Sequence, residues 1–166
     1  MFALTWKEHV LPRVAAGIAA VEDDHFVGIN VGVCQIGAGD MLCFLCIRNE
    51  ANRLPHFLRH HRALGVRHFL AVDNASTDGS GSLLAGQPDV SLWQTGASYK
   101  ASRFGMDWLT WLMMRHGSGH WCLTLDADEI LVYPYWQTRP LPALTEWLDL
   151  QGRASFGALT VDMYPE

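Results

Sequence analysis

One pattern constrains this chain more than any other. Short apolar runs end abruptly in polar clusters, and helical stretches lie between them. Met41-Leu-Cys-Phe-Leu-Cys-Ile47 runs into Arg48-Asn49-Glu50. Arg67 to Val72 runs into Asp73-Asn74-Ala75-Ser76-Thr77-Asp78-Gly79-Ser80. His120 to Leu125 runs into Asp126-Ala127-Asp128-Glu129. Short apolar runs bounded by turn residues read as buried strands. Between them, Asn52 to Leu64 carries Leu54, Phe57, Leu58, His61 and Leu64 at helical spacing, and Gly65 stops it. Ala101 to His116 reads as a long helix with Phe104, Trp108, Leu109, Trp111 and Leu112 inward. Shorter elements follow the same rhythm: a helix at Gly81 to Leu84, strands at Val90 to Trp93 and Ile130 to Tyr133, a helix at Leu141 to Leu150, and a strand at Gly157 to Met163. This alternation predicts βαβ units, and so an α/β fold with a mostly parallel sheet and helices on both faces.

Residues 1–40 are less regular. Thr5 to Val21 reads as a helix, with Leu11, Val14, Ile18 and Val21 on one side; Phe26 to Ile36 reads as one strand or a hairpin. Residues 1–40 are therefore expected to form an N-terminal extension, followed by a domain at 41–166. The 166 residues make about one domain. With 49% hydrophobic residues and seven tryptophans, the chain can bury a sizeable core. A strand ending in Asp162-Met163-Tyr164-Pro165-Glu166 is a poor place to finish a domain, so the C-terminal end is expected to be incomplete.

Composition removes several classes of function. Net charge is −5 and no basic stripe is present, which argues against nucleic acid as a partner. The longest charge-free stretch near the start, Phe26 to Gly39, is too short to span a bilayer, and Lys7, Glu8 and His9 precede any apolar block. A cytoplasmic location follows by default. Cys43 and Cys46 form a C-x-x-C, but positions three apart on a strand face opposite ways, so buried structural thiols are the better reading.

The chemistry gathers at strand ends. Parallel strands put their carboxyl ends on one edge, where ligands bind in open α/β sheets. Carboxylates crowded there repel one another unless a cation joins them, and a hard divalent ion also holds a phosphate. Blander readings stand beside this one. Ser76, Thr77 and Asp78 suit a turn and helix cap, and Glu50 suits a first helical turn. His56 and His60 stand four apart, as metal ligands on a helix do, but no third ligand accompanies them, and packing histidines are favoured. The tryptophans read mostly as core, with Trp136 a candidate to stack on a sugar.

Taken in order, Arg48-Asn49-Glu50, His60-His61-x-x-x-Gly65-Val66, Val72-Asp73-Asn74-x-Ser76-x-Asp78-Gly79 and Trp121-x-x-x-Leu125-Asp126-Ala127-Asp128-Glu129 resemble the GT-A glycosyltransferases. The likeness is to the family-two-like branch and covers about Leu42 to Pro134. It implies a GT-A type of sheet and a sugar moved from a nucleotide-diphosphate donor to an acceptor hydroxyl, with inversion. Glu50, Asp73 and Asn74 would then hold the nucleotide, with Asp73 near the base or ribose. Asp126 and Asp128 would form the D-x-D motif, binding a divalent metal (manganese or magnesium) on the diphosphate. Asp128 is then the direct ligand, and Asp126 also contacts sugar or ribose. Arg103 matches a donor-binding basic residue, against the plainer reading of an exposed helix charge. Asp162 and Glu166 are base candidates by position alone. The acceptor is a polysaccharide, lipid or protein, and peripheral membrane association stays open. The alternatives are a non-catalytic or truncated diphosphate-binding module and, behind it, a haloacid-type phosphatase. That phosphatase's own D-x-D sits on its first strand and continues with threonine or valine.

Overall fold

The computed structural model describes residues 2–5 and 26–163. Within them the strands are β1 Phe2–Thr5, β2 Val27–Asn30, β3 Met41–Ile47, β4 Val66–Asp73, β5 Val90–Gln94, β6 Cys122–Thr124 and β7 Ser155–Ala158. The helices are α1 Leu54–Leu64, α2 Ser80–Ala85, α3 Met106–His116 and α4 Leu141–Leu150, with a 3-10 turn at Val33–Gln35. The strands form one sheet in the order β2-β5-β4-β3-β6-β1-β7.

An unbroken apolar run leaves a strand no solvated face. Accordingly β3 lies in the middle of the sheet, parallel to β4 on one side and β6 on the other. β5 extends the parallel set beyond β4. The outer strands are antiparallel: β2 on β5, and β1 on both β6 and β7. The fold is thus α/β with a mixed sheet whose four central strands are parallel. β1 and β2 both come from the first forty residues.

Alternate residues of β3 feed two cores, as the two-residue strand period requires. Met41, Cys43, Leu45 and Ile47 pack with Leu54, Phe57 and Leu58 of α1, Leu84 of α2, and Leu141 and Leu148 of α4. Leu42 and Phe44 pack with Trp108, Leu109 and Leu112 of α3. Helices therefore cover both faces. Fully burying each such side chain contributes roughly 1.5–3 kcal/mol. Cys43 and Cys46 do point to opposite faces. Gly65 ends α1 at φ 108°, where a side chain would be strained, and a Cβ there would stand 2.7 Å from Pro142. Glycine at 65 thus lets the start of α4 lie against the end of α1.

Four boundaries depart from the sequence reading. The long helix does not begin at Ala101. Arg103, Phe104 and Gly105 take left-handed φ angles of 50°, 58° and 78°, so α3 starts only at Met106. Ile130 to Tyr133 is not a strand, because the polar backbone groups of Leu131 meet two histidine rings of α1 rather than a neighbouring strand. The last strand spans Ser155–Ala158, where β1 pairs with it, and does not reach Met163. Phe26 to Ile36 resolves into β2 and the 3-10 turn, not a hairpin. The helix expected from Thr5 to Val21 lies outside the described residues except for Thr5, which ends β1.

Candidate functional site

The turns after β3 and β4 are knitted together by side chains. Asn49, at a left-handed φ of 58°, donates its N–H to Ser76 Oγ at 2.9 Å, and its Oδ1 accepts the Thr77 N–H at 2.8 Å. The Glu50 N–H donates to Ser80 Oγ at 2.8 Å, and the Ala51 N–H to Asp78 Oδ2 at 2.9 Å. The Ser80 hydroxyl, and after it the Ala51 N–H, holds the Asp78 carboxyl below the usual range. Ser76, Thr77 and Asp78 therefore join two loops. Glu50 precedes α1 rather than sitting in its first turn.

Asp73 and Asn74 turn inward. Asp73 is 1% exposed; its Oδ1 accepts the Ser76 N–H at 2.9 Å and its Oδ2 accepts from Gln94 Nε2 at 3.1 Å. A Cβ at Gly81 would stand 2.6 Å from that Oδ2. The Asn74 amide donates to the carbonyls of Thr95 and Ala97 at 3.1 and 3.0 Å. Both side chains fasten the sheet edge, whereas the resemblance implies contact with a nucleotide. The Asp73 carboxylate is thus buried and engaged within the fold on both oxygens.

The third cluster arrives beside β3. β6 pairs with β3 up to Phe44 and Thr124, and the Leu125 N–H then donates to the Phe44 carbonyl at 3.3 Å. Carrying that register on brings Asp126 level with Cys46. Asp126 and Asp128 are exposed. Glu129 folds back, accepting the Asp126 N–H at 2.8 Å. The two residues of the D-x-D motif thus stand exposed, and the neighbouring carboxylate of Glu129 closes their turn.

Charge links this turn to the others. The Asp126 carboxyl is raised above its ordinary value, first by the protein packed around it and then by Asp128 and Glu50. Glu129 is raised too, by burial first and by Asp126 and Asp128 after it. Cys46 is pushed up to about 12, by burial and then by Asp126 and Asp73, which leaves its thiol inert. Burial, and after it the Asp126 charge, raises Tyr99.

Sequence reasoning missed two of these neighbours. Arg53 Nη1 meets Glu50 Oε2 at 2.7 Å, and Asp128 further favours its charge. The i,i+3 spacing from Glu50 was the available signal. Tyr99 carries no such signal; it joins the site because the turn into α3 rides over Cys46. A Cβ on Gly105 would stand 3.0 Å from Tyr99 and 3.1 Å from Cys46 Sγ.

Other expected residues stand elsewhere or otherwise engaged. Arg103 is exposed and paired with Asp107, Nε to Oδ1 at 2.6 Å, from the turn that precedes α3. Asp162 is exposed beyond β7, and Glu166 lies outside the described residues. His56 accepts from Arg59 at 3.1 Å and lies beside the His60 ring. Trp136 packs on His60, with ring centres 5.2 Å apart.

Among the described residues, no three His, Cys, Asp or Glu side chains are gathered into a metal cage. Magnesium-type ions rarely need one. They bind through one or two carboxylates and take further oxygens from substrate phosphates. Asp126 and Asp128, crowded and rich in hard oxygen, fit that donor set. No protein family matches this chain, and no characterised protein matches it in sequence. Among the described residues, no helix is long and apolar enough to cross a membrane.

Proposed function

We propose that the chain is a metal-dependent glycosyltransferase of GT-A type, acting on a nucleotide-sugar donor. One observation carries the reading. Asp126, Asp128 and Glu50 share the carboxyl-terminal edge of parallel strands, where burial first, and then the charges of Asp128 and Glu50, raise the Asp126 carboxyl above its ordinary value. Such crowding costs stability unless something positive relieves it.

In this reading Asp126 and Asp128 hold a divalent ion, manganese or magnesium. When bound, that ion offsets the charge that grows on a departing nucleoside diphosphate. Glu50 orients the nucleotide from the end of β3, and Arg53 holds Glu50 in place. Asp73 and Asn74 act from behind by fixing the loops that carry Ser76 and Ala97. Tyr99 lies within the electrostatic reach of Asp126. In the transfer the anomeric carbon loses its bond to the diphosphate oxygen and gains one to an acceptor hydroxyl, whose proton must go to a base.

A thermal-shift series tests the reading. UDP and GDP, alone and with manganese, should stabilise the protein only when nucleotide and metal are present together. Asp128→Ala should remove the shift. Turnover of a simple phosphate ester that Asp126→Asn abolishes would instead favour the phosphatase chemistry. Slow donor hydrolysis with no acceptor product would favour a diphosphate-binding module.

A further inference from the structure

α1 touches the candidate site at both ends. Its first residue follows Glu50 by one turn of chain, and the Leu54 N–H donates to the Glu50 carbonyl at 3.0 Å. Near its other end, His60 Nε2 bonds the Leu131 carbonyl at 2.9 Å, and the Leu131 N–H points to His61 Nε2 at 3.4 Å. The remaining His61 nitrogen, Nδ1, donates to the Phe57 carbonyl at 2.8 Å. With Nδ1 carrying the proton, Nε2 is left as an acceptor, as Leu131 requires. His61 is fully buried, so its ring has no freedom to turn away.

Leu131 stands two residues after Glu129, and Glu129 closes the turn that presents Asp126 and Asp128. Upstream, that turn is tied to β3 through Leu125 and Phe44. The acidic turn is therefore slung between two fixed points, one on the sheet and one on the paired rings. A three-residue strand such as β6 supplies little stiffness of its own.

We propose that His60 and His61 are positioning residues for the acidic turn: by holding both backbone polar groups of Leu131, they set where Asp126 and Asp128 stand relative to Glu50. The effect on cation affinity rests on the function proposed above; the effect on the turn does not. Groups hydrogen-bonded directly to metal ligands alter metal affinity by about 10- to 100-fold when removed, and partners one step further out belong at the lower end of that range.

Amide hydrogen exchange on the metal-free chain and manganese affinity in the presence of UDP, read from the paramagnetic resonance of free manganese, test this together. His60→Leu keeps bulk and loses the donor, while His60→Gln keeps an N–H donor. His60→Leu should speed exchange at Glu129 and Leu131 at least tenfold, leave β3 and β4 unchanged, and weaken manganese binding about tenfold. His60→Gln should restore both. If His60→Leu does not fold, His60→Asn, whose amide falls short of Leu131, takes its place. Unchanged exchange at Leu131, an equal rise in β3, or a glutamine that restores nothing would overturn the proposal. So would loosened exchange with unchanged manganese affinity. A wild-type chain that takes up no manganese with UDP would instead sink the glycosyltransferase reading, and exchange would still decide the positioning role.

Discussion

Glu129 and Asp126 close their turn on each other. The Asp126 N–H donates to Glu129 Oε2 at 2.8 Å, and the Glu129 N–H donates back to the Asp126 carbonyl at 3.0 Å. Glu129→Ala should therefore cost about 1 kcal/mol in urea unfolding and shrink the thermal shift given by manganese and UDP. Glu129→Gln, whose amide oxygen can still accept, should keep most of both. Equal loss in the two variants would mean that the carboxylate does more than close the turn.

Neutralising Asp126 should strengthen the metal-free protein. A carboxyl whose folded-state pKa lies above its ordinary 3.8 binds protons more tightly folded than unfolded. Its penalty is absent below 3.8 and complete once pH exceeds the folded value. At pH 7 Asp126→Asn should thus raise metal-free stability by a few tenths of a kcal/mol, a small figure because the group is exposed. The same variant should lose the manganese-dependent shift. Differential scanning calorimetry with and without the ion reads both.

His61 should make the fold acid-sensitive. Burial lowers its pKa from 6.5 to about 4, against the upward pull of the Phe57 carbonyl. The unfolded chain then takes up a proton before the folded one does. Stability is whole above about 6.5 and falls as pH drops toward 4, by on the order of 3 kcal/mol in all. His61→Gln should flatten that part of the stability profile, as measured by urea midpoints from pH 7 to pH 4.

Asp73 should prove to be a fastening rather than a ligand. Asp73→Ala would remove the acceptor of both the Ser76 N–H and the Gln94 amide, and so leave buried donors unpaired. A loss of roughly 1–3 kcal/mol in the metal-free protein is expected from urea unfolding. A variant as stable as wild type but with weakened nucleotide binding would reverse this assignment.

The strong elements were legible because their apolar spacing is unambiguous. β3, α1, β4 and β5 fall within two residues of where Met41 to Trp93 places them. The failures share one physical cause: the backbone's partners came from distant side chains. Leu131 bonds to rings seventy residues earlier, and no local pattern announces that. Arg103 and Phe104 hold a helix pattern yet adopt left-handed backbone, so spacing overstated α3. At the site, strand ends located Asp126 and Asp128 correctly on the edge. Which way a strand-end side chain turns is set by tertiary neighbours such as Gln94, and so the inward orientation of Asp73 was not legible.

The sheet order carries a consequence for how the chain assembles. β3 meets β4 after one short helix, but its other neighbour, β6, is synthesised some seventy-five residues later. Closing the near loop sacrifices less chain freedom than closing the far one. The β3-α1-β4 unit is therefore the natural nucleus, and until β6 docks one flank of β3 keeps open, sticky hydrogen-bonding groups. Nascent chains halted between Asp73 and Cys122 should be where this protein most needs a chaperone.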